Sequence, residues 1–248
     1  MQQLVGPGTF MKLWICIAAC LALSPALAAP PSTFEITYSA RYDSFEAEAS
    51  RYLRYDAETS LYQLQTAISL ILLGHTVTSL VETSEVRWED DQPVPLRYQY
   101  RQTGLNTRSR SIEFDQKANT ANFTIEDKKG TVALNVPVYD DLSSYLAIRE
   151  QLEAGAKDIK FEVLDKDTIK TYHYQVEEEA VLTTALGKFQ AIKLIRIRDD
   201  NPTRTTEIWV AKDYDYILLK FIQEEPSNST IRLDITKAVF NDAVLKPD

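Results

Sequence analysis

The two histidines are the first residues to consider for catalysis or metal binding, because imidazole titrates near neutral pH and binds divalent metals. His75 and His173 lie about a hundred residues apart, and both fall in strand-like segments. No zinc-protease helix, nucleophile elbow or glycine-rich phosphate loop accompanies them. Seven glycines in 248 residues also leave few backbone cradles for phosphate. We therefore expect no catalytic histidine, no metal and no cofactor.

Clustered carboxylates are the next candidates, because a pair of them set across a sugar can hydrolyse a glycosidic bond. The clusters are Glu89-Asp90-Asp91, Glu177-Glu178-Glu179, Asp199-Asp200, and Asp213 with Asp215. They fall where turns are expected, which favours solvated turns. An enzyme acting on envelope sugars through paired carboxylates stays an alternative.

Several arginines could form a cationic rim for an anionic headgroup or another polyanion. They are Arg97, Arg101, Arg108, Arg110, Arg196, Arg198 and Arg204. Charged residues that alternate with apolar ones are also typical of a strand with one wet face. We favour the wetted strand faces and keep the cationic rim as the alternative.

Residues 1–28 have the three parts of a secretory signal. Lys12 supplies the positive region, Leu13 to Leu23 the apolar region, and Ala26-Leu27-Ala28 the small-residue cleavage motif. The apolar region is too short for a transmembrane helix, so we expect no retained membrane span. Residues 29–248 are the predicted mature domain, with a periplasmic location.

Both cysteines of the chain lie inside this predicted signal. Cys16 and Cys20 would be lost on cleavage, which excludes disulfides and thiolate chemistry from the mature protein. Ile17 to Cys20 also resembles a lipoprotein processing site, so an anchor on Cys20 is a minor alternative. Cleavage after Ala28 is preferred because it leaves no apolar tail.

The charge of the chain limits its partners. The net charge is −9, and it becomes −10 once Lys12 is removed. We therefore expect no nucleic-acid partner. Nonspecific adhesion to anionic membranes is disfavoured, although a local patch could still act.

One helix, near residues 140–154, is predicted in an otherwise strand-rich chain. Its apolar residues, Leu142, Tyr145, Leu146, Ile148 and Leu152, form one stripe at helical spacing. A preceding aspartate can cap the helix, and Gly155 can end it.

Arg149 falls within the same apolar stripe, so its charge requires a partner from elsewhere in the fold. Asp213 or Asp215, in the turn that follows Trp209, is well placed to supply a carboxylate. We assign structural roles to Arg149, Trp209 and Asp213.

The rest of the mature chain predicts antiparallel strands. Phe34 to Asp43 alternates apolar and polar residues, and turns recur at intervals of about ten residues. Ala67 to Leu73 is apolar at consecutive positions, which favours a buried central strand over a strand facing an apolar cavity. We expect one domain: a large curved antiparallel sheet or half-barrel, with the helix packed on its concave face.

Three stretches resemble the bacterial domain-of-unknown-function family 3108. They are Glu85-Val86-Arg87-Trp88 followed by Pro95-Leu96-Arg97-Tyr98; Asp141-Leu142-Ser143-Ser144-Tyr145 with Arg149 and Gly155; and Gly187 to Lys193 followed by Ile208 to Asp213. The resemblance implies an exported, mainly β protein of Gram-negative bacteria, and it supplies no catalytic residues.

By analogy of fold, a curved sheet closed by a helix looks like the periplasmic carriers of lipoproteins and lipids. The analogy predicts an apolar cavity lined by Leu70, Leu72, Tyr145 and Leu146. Our leading hypothesis is a non-enzymatic periplasmic protein that binds a lipid, or an apolar segment of an envelope protein, in envelope maintenance. The alternatives are the sugar-acting enzyme and a purely structural interaction protein.

Overall fold

The computed structural model describes residues 29–198 and 203–246. The predicted signal peptide, with Cys16 and Cys20, and the pair Asp199-Asp200 lie outside these residues. The described part contains sixteen strands and one helix, α1. In chain order they are β1 Phe34–Tyr42, β2 Phe45–Asp56, β3 Leu61–Leu72, β4 His75–Glu89, β5 Gln92–Gly104, β6 Arg108–Asp115, β7 Thr120–Ile125, β8 Lys128–Ala133, β9 Val138–Tyr139, α1 Ser144–Glu153, β10 Asp158–Asp165, β11 Thr168–Thr184, β12 Gly187–Ile197, β13 Thr205–Ala211, β14 Leu218–Glu224, β15 Thr230–Phe240 and β16 Ala243–Val244.

All of these strands belong to one sheet, made of two meanders. The first meander runs from β1 to β8 in sequence order, and the second runs from β15 back to β10. β1 joins them by pairing with both β2 and β15. The short β9 adds to β10 in parallel and forms the far edge.

The sheet must be strongly curved, because its two edges are consecutive in the chain. A flat sheet with the fifteen strands from β8 to β9 would separate its edges by about 67 Å. Only residues 134–137 connect β8 to β9, and such a connection spans at most about 18 Å. Lys128 on β8 also contacts Asp167, after β10, at 2.6 Å. The predicted mainly β class with a large curved sheet is confirmed.

The helix lies inside this curve. Residues 144–149 of α1 are all buried. The helix therefore has neighbours on every side at this point, and not only along its apolar stripe. Tyr145 and Leu146 pack with core residues of the first meander, whereas Ile148 and Leu152 pack with β10 to β13. Among the described residues, no helix is long and apolar enough to cross a membrane.

The ends of the helix differ slightly from the prediction. Gly155 ends it in the left-handed conformation, with φ +79°, as expected. The capping aspartate is Asp140, which acts one turn before α1: its carboxylate accepts hydrogen bonds from the backbone N–H groups of Leu142 and Ser143, both at 2.9 Å.

The preference for a doubly buried strand at Ala67 to Leu73 is wrong. Residues 67–71 are half-buried at every position, and Leu72 is 45% exposed. This part of β3 pairs only with its neighbours β2 and β4, near the tip of a long hairpin. This end of β3 is instead partly exposed near the hairpin tip.

Candidate functional site

The largest described cavity, about 700 Å³, lies between the two meanders at the N-terminal end of the helix. The first meander contributes Glu82, Tyr100, Arg108 and Arg110. The second contributes Tyr172, Tyr174, Arg196, Arg204 and Phe221, and Asp141 and Ser144 lie between them. A cavity of this size falls in the range of small-molecule sites.

A connected polar network forms one side of the cavity. Tyr98 donates its hydroxyl hydrogen to Glu82 at 3.0 Å. Arg110 donates from Nη2 to the Tyr98 oxygen at 2.7 Å and to Asp141 Oδ2 at 2.6 Å. Tyr172 donates to the other oxygen of Asp141 at 3.1 Å. The charge of Arg110 is thus compensated, and the network holds its side chains in fixed positions.

Arg196 adjoins this network at Tyr172 but forms no ion pair within the described residues. Its guanidinium stacks 3.5 Å above the ring of Tyr172, and Tyr174 lies 5.9 Å away. Its Nε is buried and has no hydrogen-bond partner. No carboxylate of residues 29–198 or 203–246 lies within ion-pair distance of Arg196. The positive charge therefore faces the cavity with aromatic rings as its main neighbours.

Arg198 and Arg204 extend this positive side. Arg198 donates to the Thr206 hydroxyl at 2.8 Å and to the backbone oxygen of Arg204 at 3.3 Å. Burial, together with the neighbouring charges of Arg196 and Arg204, lowers the pKa of Arg198 to about 10. Arg204 is paired with Glu225 at 2.6 Å. Within residues 29–198 and 203–246, neither Arg196 nor Arg198 forms an ion pair with a carboxylate.

Glu82 is the titratable carboxyl of the cavity. Burial raises its pKa to about 7, and the nearby charge of Asp141 adds to the effect. The hydrogen bond from Tyr98 and the charge of Arg110 act in the opposite direction but are smaller. Glu82 is therefore partly protonated at neutral pH, which makes the cavity more positive.

The sheet face that carries Glu82 becomes apolar toward the hairpin tips. Glu82 pairs with Thr66 on β3, and the next residues on this face are Ile68 and Leu80, which pair with each other. Ile68 also pairs with Ala49, which lies on β2. Ile68 and Leu80 are half-buried. A long ligand bound at the arginines thus has an apolar wall within the same sheet face.

The four residues predicted to line an apolar cavity are in two different settings. Tyr145 and Leu146 are buried in the core, where Tyr145 packs edge-on against Phe34 at 5.8 Å. Leu70 is half-buried, and Leu72 is largely exposed near the hairpin tip. None of the four lines the 700 Å³ cavity.

The three residues predicted to have structural roles also lie in different settings. Arg149 is 3% exposed and binds the carboxylate of Asp215, as the helix pattern indicated. Trp209 is buried and donates from Nε1 to Glu207 at 2.6 Å. Asp213 is exposed, and it is Asp215 that meets Arg149.

The histidines and carboxylate clusters do not form a site in the described residues. His75 is exposed in β4, and His173 contacts Asp158 at the surface. Among residues 29–198 and 203–246, no three His, Cys, Asp or Glu side chains are grouped as a metal would require. Glu179 lies in surface ion pairs with Lys157 and Lys212.

Two of the arginine groups considered in the sequence, Arg108 with Arg110 and Arg196 with Arg204, do meet at the cavity. Glu82 and Tyr172 were not singled out. A usable signal was strand parity, because Glu82 shares its parity with the buried residues Ser84 and Val86.

The described residues form one strongly curved sheet around a helix, with a polar cavity between its two meanders. Residues 33–236 match the model of the family described as Protein of unknown function (DUF3108). The chain therefore belongs to this family, which confirms the resemblance found in the sequence. A search of curated proteins gave no match.

Solved structures support the fold. The chain is similar to a β-barrel-like protein of the domain of unknown function DUF1849 from Brucella abortus, with 9% identity and a TM-score of 0.58. The match covers 86% of this chain and 99% of the other. A porin-like protein from Bacteroides uniformis matches at 10% identity, 86% and 99% coverage and a TM-score of 0.33, which is too low to support an argument.

Proposed function

We propose that this is a non-enzymatic periplasmic protein that binds an anionic amphipathic ligand, such as an acidic lipid, in the cavity between the two meanders. The observation that carries the proposal is Arg196, a partly buried cation that lines the cavity and has no carboxylate partner within residues 29–198 and 203–246. A buried charge is costly unless it is paired. An anionic headgroup would supply the missing partner.

The charge balance of the cavity supports this ligand class. Arg108, Arg110, Lys166, Arg196 and Arg204 line it, against the carboxyls of Glu82, Glu126, Asp141 and Asp165. Because Glu225 pairs with Arg204, these described charges balance when Glu82 is ionised and are positive when it is protonated, within a chain of net charge −9. Arginine is also the side chain best suited to a phosphate, because its planar fork donates two parallel hydrogen bonds.

An apolar tail of the ligand has a place to bind. Phe221 lines the cavity, and the adjoining sheet face carries Ile68 and Leu80. Burying this surface would contribute roughly 25 cal/mol per Å² of apolar area. Headgroup and tail would then be held on one continuous inner face of the sheet, which fits the proposed role in envelope maintenance.

Native mass spectrometry of the protein purified from its own periplasm tests the proposal, since a bound lipid would be seen directly. With dihexanoyl phosphatidylglycerol as an added probe, we expect binding that Arg196→Met weakens at least about tenfold, which corresponds to about 1.4 kcal/mol. Arg232→Met is the matched control, because Arg232 is exposed and pairs with Asp234 at the surface. Equal affinity of the Arg196→Met and parent proteins would refute the assignment.

The affinity for this anion should depend on pH through Glu82. Its pKa of about 7 means that raising the pH from about 6 to about 8 adds a negative charge beside the ligand. We expect the affinity to fall by about tenfold over this range, because like charges repel strongly in a partly buried site. Titration calorimetry with the same probe measures this, and Glu82→Gln should abolish the dependence. A phosphodiester does not itself titrate in this range, so a persistent slope in the variant would contradict the role of Glu82.

A second candidate function, hydrolysis of an envelope sugar, is favoured by one observation. Glu82, with its raised pKa, lies close enough to Asp141 to be affected by its charge, which is the arrangement of a general acid beside a carboxylate. However, both oxygens of Asp141 are occupied, by Arg110 and Tyr172. Turnover of cell-wall glycans by the parent but not by Glu82→Gln would establish this alternative.

A further inference from the structure

Five large apolar side chains are exposed at one end of the sheet. Tyr42 and Phe45 flank the turn between β1 and β2, Leu72 and Leu73 lie at the turn between β3 and β4, and Leu105 follows β5. We refer to these five residues as the apolar rim. Leu73 is 91% exposed and Leu105 is 76% exposed. Single exposed apolar residues are normal, but a group of them marks an interaction surface.

The members of the apolar rim lie on three neighbouring hairpins. β1 to β6 are adjacent in the sheet, so their three connecting turns follow one another along one end. Ala47 on β2 pairs with Leu70 on β3. The backbone N–H of Leu105 donates to the carbonyl of Val77 on β4, at 3.2 Å. The hairpin tips are therefore held side by side by backbone contacts.

Leucine at the tip of the second hairpin is not explained by turn chemistry. Leu73 and Gly74 have φ values of +51° and +79°, the left-handed conformation of a two-residue hairpin turn. Such turns favour Asn-Gly, and a leucine in this conformation is strained. The Leu73 side chain projects into solvent and does not pack in the core. It is therefore available for contact with a partner outside the protein.

The charge near the second and third hairpins indicates what that partner is. Residues 66–81 contain no Lys, Arg, Asp or Glu, and residues 98–111 contain Arg101, Arg108 and Arg110 but no carboxylate. Arg110 is compensated by Asp141, whereas Arg101 and Arg108 are exposed. The first hairpin carries Asp43, Glu46 and Glu48 against Arg41, so it is the second and third hairpins that are apolar and basic and complementary to an apolar and anionic surface.

We infer that the second and third hairpins of the apolar rim dock on an anionic lipid surface, with Leu73 and Leu105 entering the headgroup region and Arg101 and Arg108 contacting the headgroups. Arg108 also lines the 700 Å³ cavity, so the cavity lies next to the docked end. Docking here would place an acidic lipid in the membrane beside the site proposed to bind it. The inference rests on exposure and charge, and it extends the proposed function by supplying a route for the ligand.

Flotation with vesicles tests this inference. We expect the protein to bind mixed vesicles of phosphatidylcholine and phosphatidylglycerol, to bind pure phosphatidylcholine vesicles more weakly, and to be released by salt. Leu73→Ser with Leu105→Ser should weaken binding to the mixed vesicles by about tenfold per leucine. Val181→Ser with Val244→Ser is the matched control, because both valines are exposed but pair with Gln190 and Val239 away from the rim.

Three outcomes would overturn the inference. These are an absence of binding to mixed vesicles, equal binding by the leucine and valine variants, and a rim-dependent dimer in sedimentation without lipid, which would assign the rim to a second copy of the chain. The cavity is tested separately with soluble dihexanoyl phosphatidylglycerol. The leucine variant should retain that binding, while Arg196→Met should retain vesicle binding, so the two proposals can fail independently.

Discussion

Replacing Arg149 by alanine is expected to lower the free energy of unfolding by about 3 to 5 kcal/mol. Arg149 is buried on α1, and its Nε donates to the carboxylate of Asp215. The side chain of Asp215 is itself only 12% exposed. Removing the arginine would leave a mostly buried negative charge with a single hydrogen bond, from the backbone N–H of Ser32 at 2.6 Å.

The effect should be large because Asp215 connects three parts of the fold. Besides Arg149 and Ser32, it binds the helix through its backbone oxygen, which accepts from the Tyr145 hydroxyl at 2.7 Å. Asp215 lies in a left-handed turn, with φ +52°, that depends on these contacts. Loss of Arg149 would therefore loosen the attachment of α1 to the second meander.

Two further variants test whether the cost of Arg149→Ala comes from leaving Asp215 buried without its partner. Arg149→Met should cost less than the alanine variant, and combining it with Asp215→Asn should cost less again, since no unpaired charge remains. Arg54→Ala is the matched control: Arg54 binds Glu35 at 2.6 Å, but both side chains are more than half exposed, so the cost should stay below about 1 kcal/mol. Urea unfolding of the parent and these four variants measures the costs. A cost for Arg149→Ala as small as that for Arg54→Ala would contradict the argument.

The local parts of this fold could be predicted from the sequence. Alternation in Phe34 to Tyr42 gave both the strand and its inner face, since Phe34, Ile36 and Tyr38 are buried. The helical stripe located Arg149 in the core and indicated a partner near Asp213 or Asp215. These inferences succeed because side-chain periodicity depends on the backbone alone.

The non-local parts could not be predicted. The pairing of β1 with β15 joins residues about two hundred positions apart, and parity shows which face is buried but not which strands meet. The cavity depends on this pairing, because Glu82 and Arg110 come from one meander and Tyr172 and Arg196 from the other. Bulges add to the difficulty: the register shifts between Val176 and Glu178, which interrupts the alternation within β11.

The error at Ala67 to Leu73 has the same origin. Consecutive apolar residues usually indicate cover on both faces of a strand. Here the hairpin of β3 and β4 extends to the apolar rim, where no helix or second sheet covers it in the part of the chain that the structure describes. The sequence of this segment correctly predicts that it is apolar. Whether another element packs on the strand depends on how the whole sheet assembles.

Replacing Asp140 should have the next largest effect on the free energy of unfolding after that of Arg149. This effect should also depend on pH. This carboxyl is fully buried. One oxygen accepts from the Ser84 hydroxyl at 2.7 Å, and the other accepts from the backbone N–H groups of Leu142 and Ser143. Asp140→Ala would orphan three donors that together position the start of α1. We expect a loss of about 3 kcal/mol near pH 5.5, because each unsatisfied buried donor costs roughly 1 to 3 kcal/mol.

The pH dependence follows from the pKa of Asp140. Burial raises it from 3.8 to about 6, against the smaller lowering by its hydrogen bonds. The folded state therefore holds this proton more tightly than the unfolded state, so the contribution to stability is fully present below pH 3.8 and is lost as the pH rises through about 6.

Asp140→Asn keeps an acceptor for the two N–H groups and does not titrate. The free energy of unfolding of the parent, relative to that of the asparagine variant, should fall by on the order of 1 to 2 kcal/mol between about pH 5.5 and about pH 8. Glu82 and Glu150 also have raised pKa values and remain in the variant; the charge of Asp140 is the smallest of the causes that shift Glu82, so Asp140 dominates the difference. Parallel stability curves for the two proteins would show that Asp140 stays ionised throughout, and that its hydrogen bonds outweigh its burial.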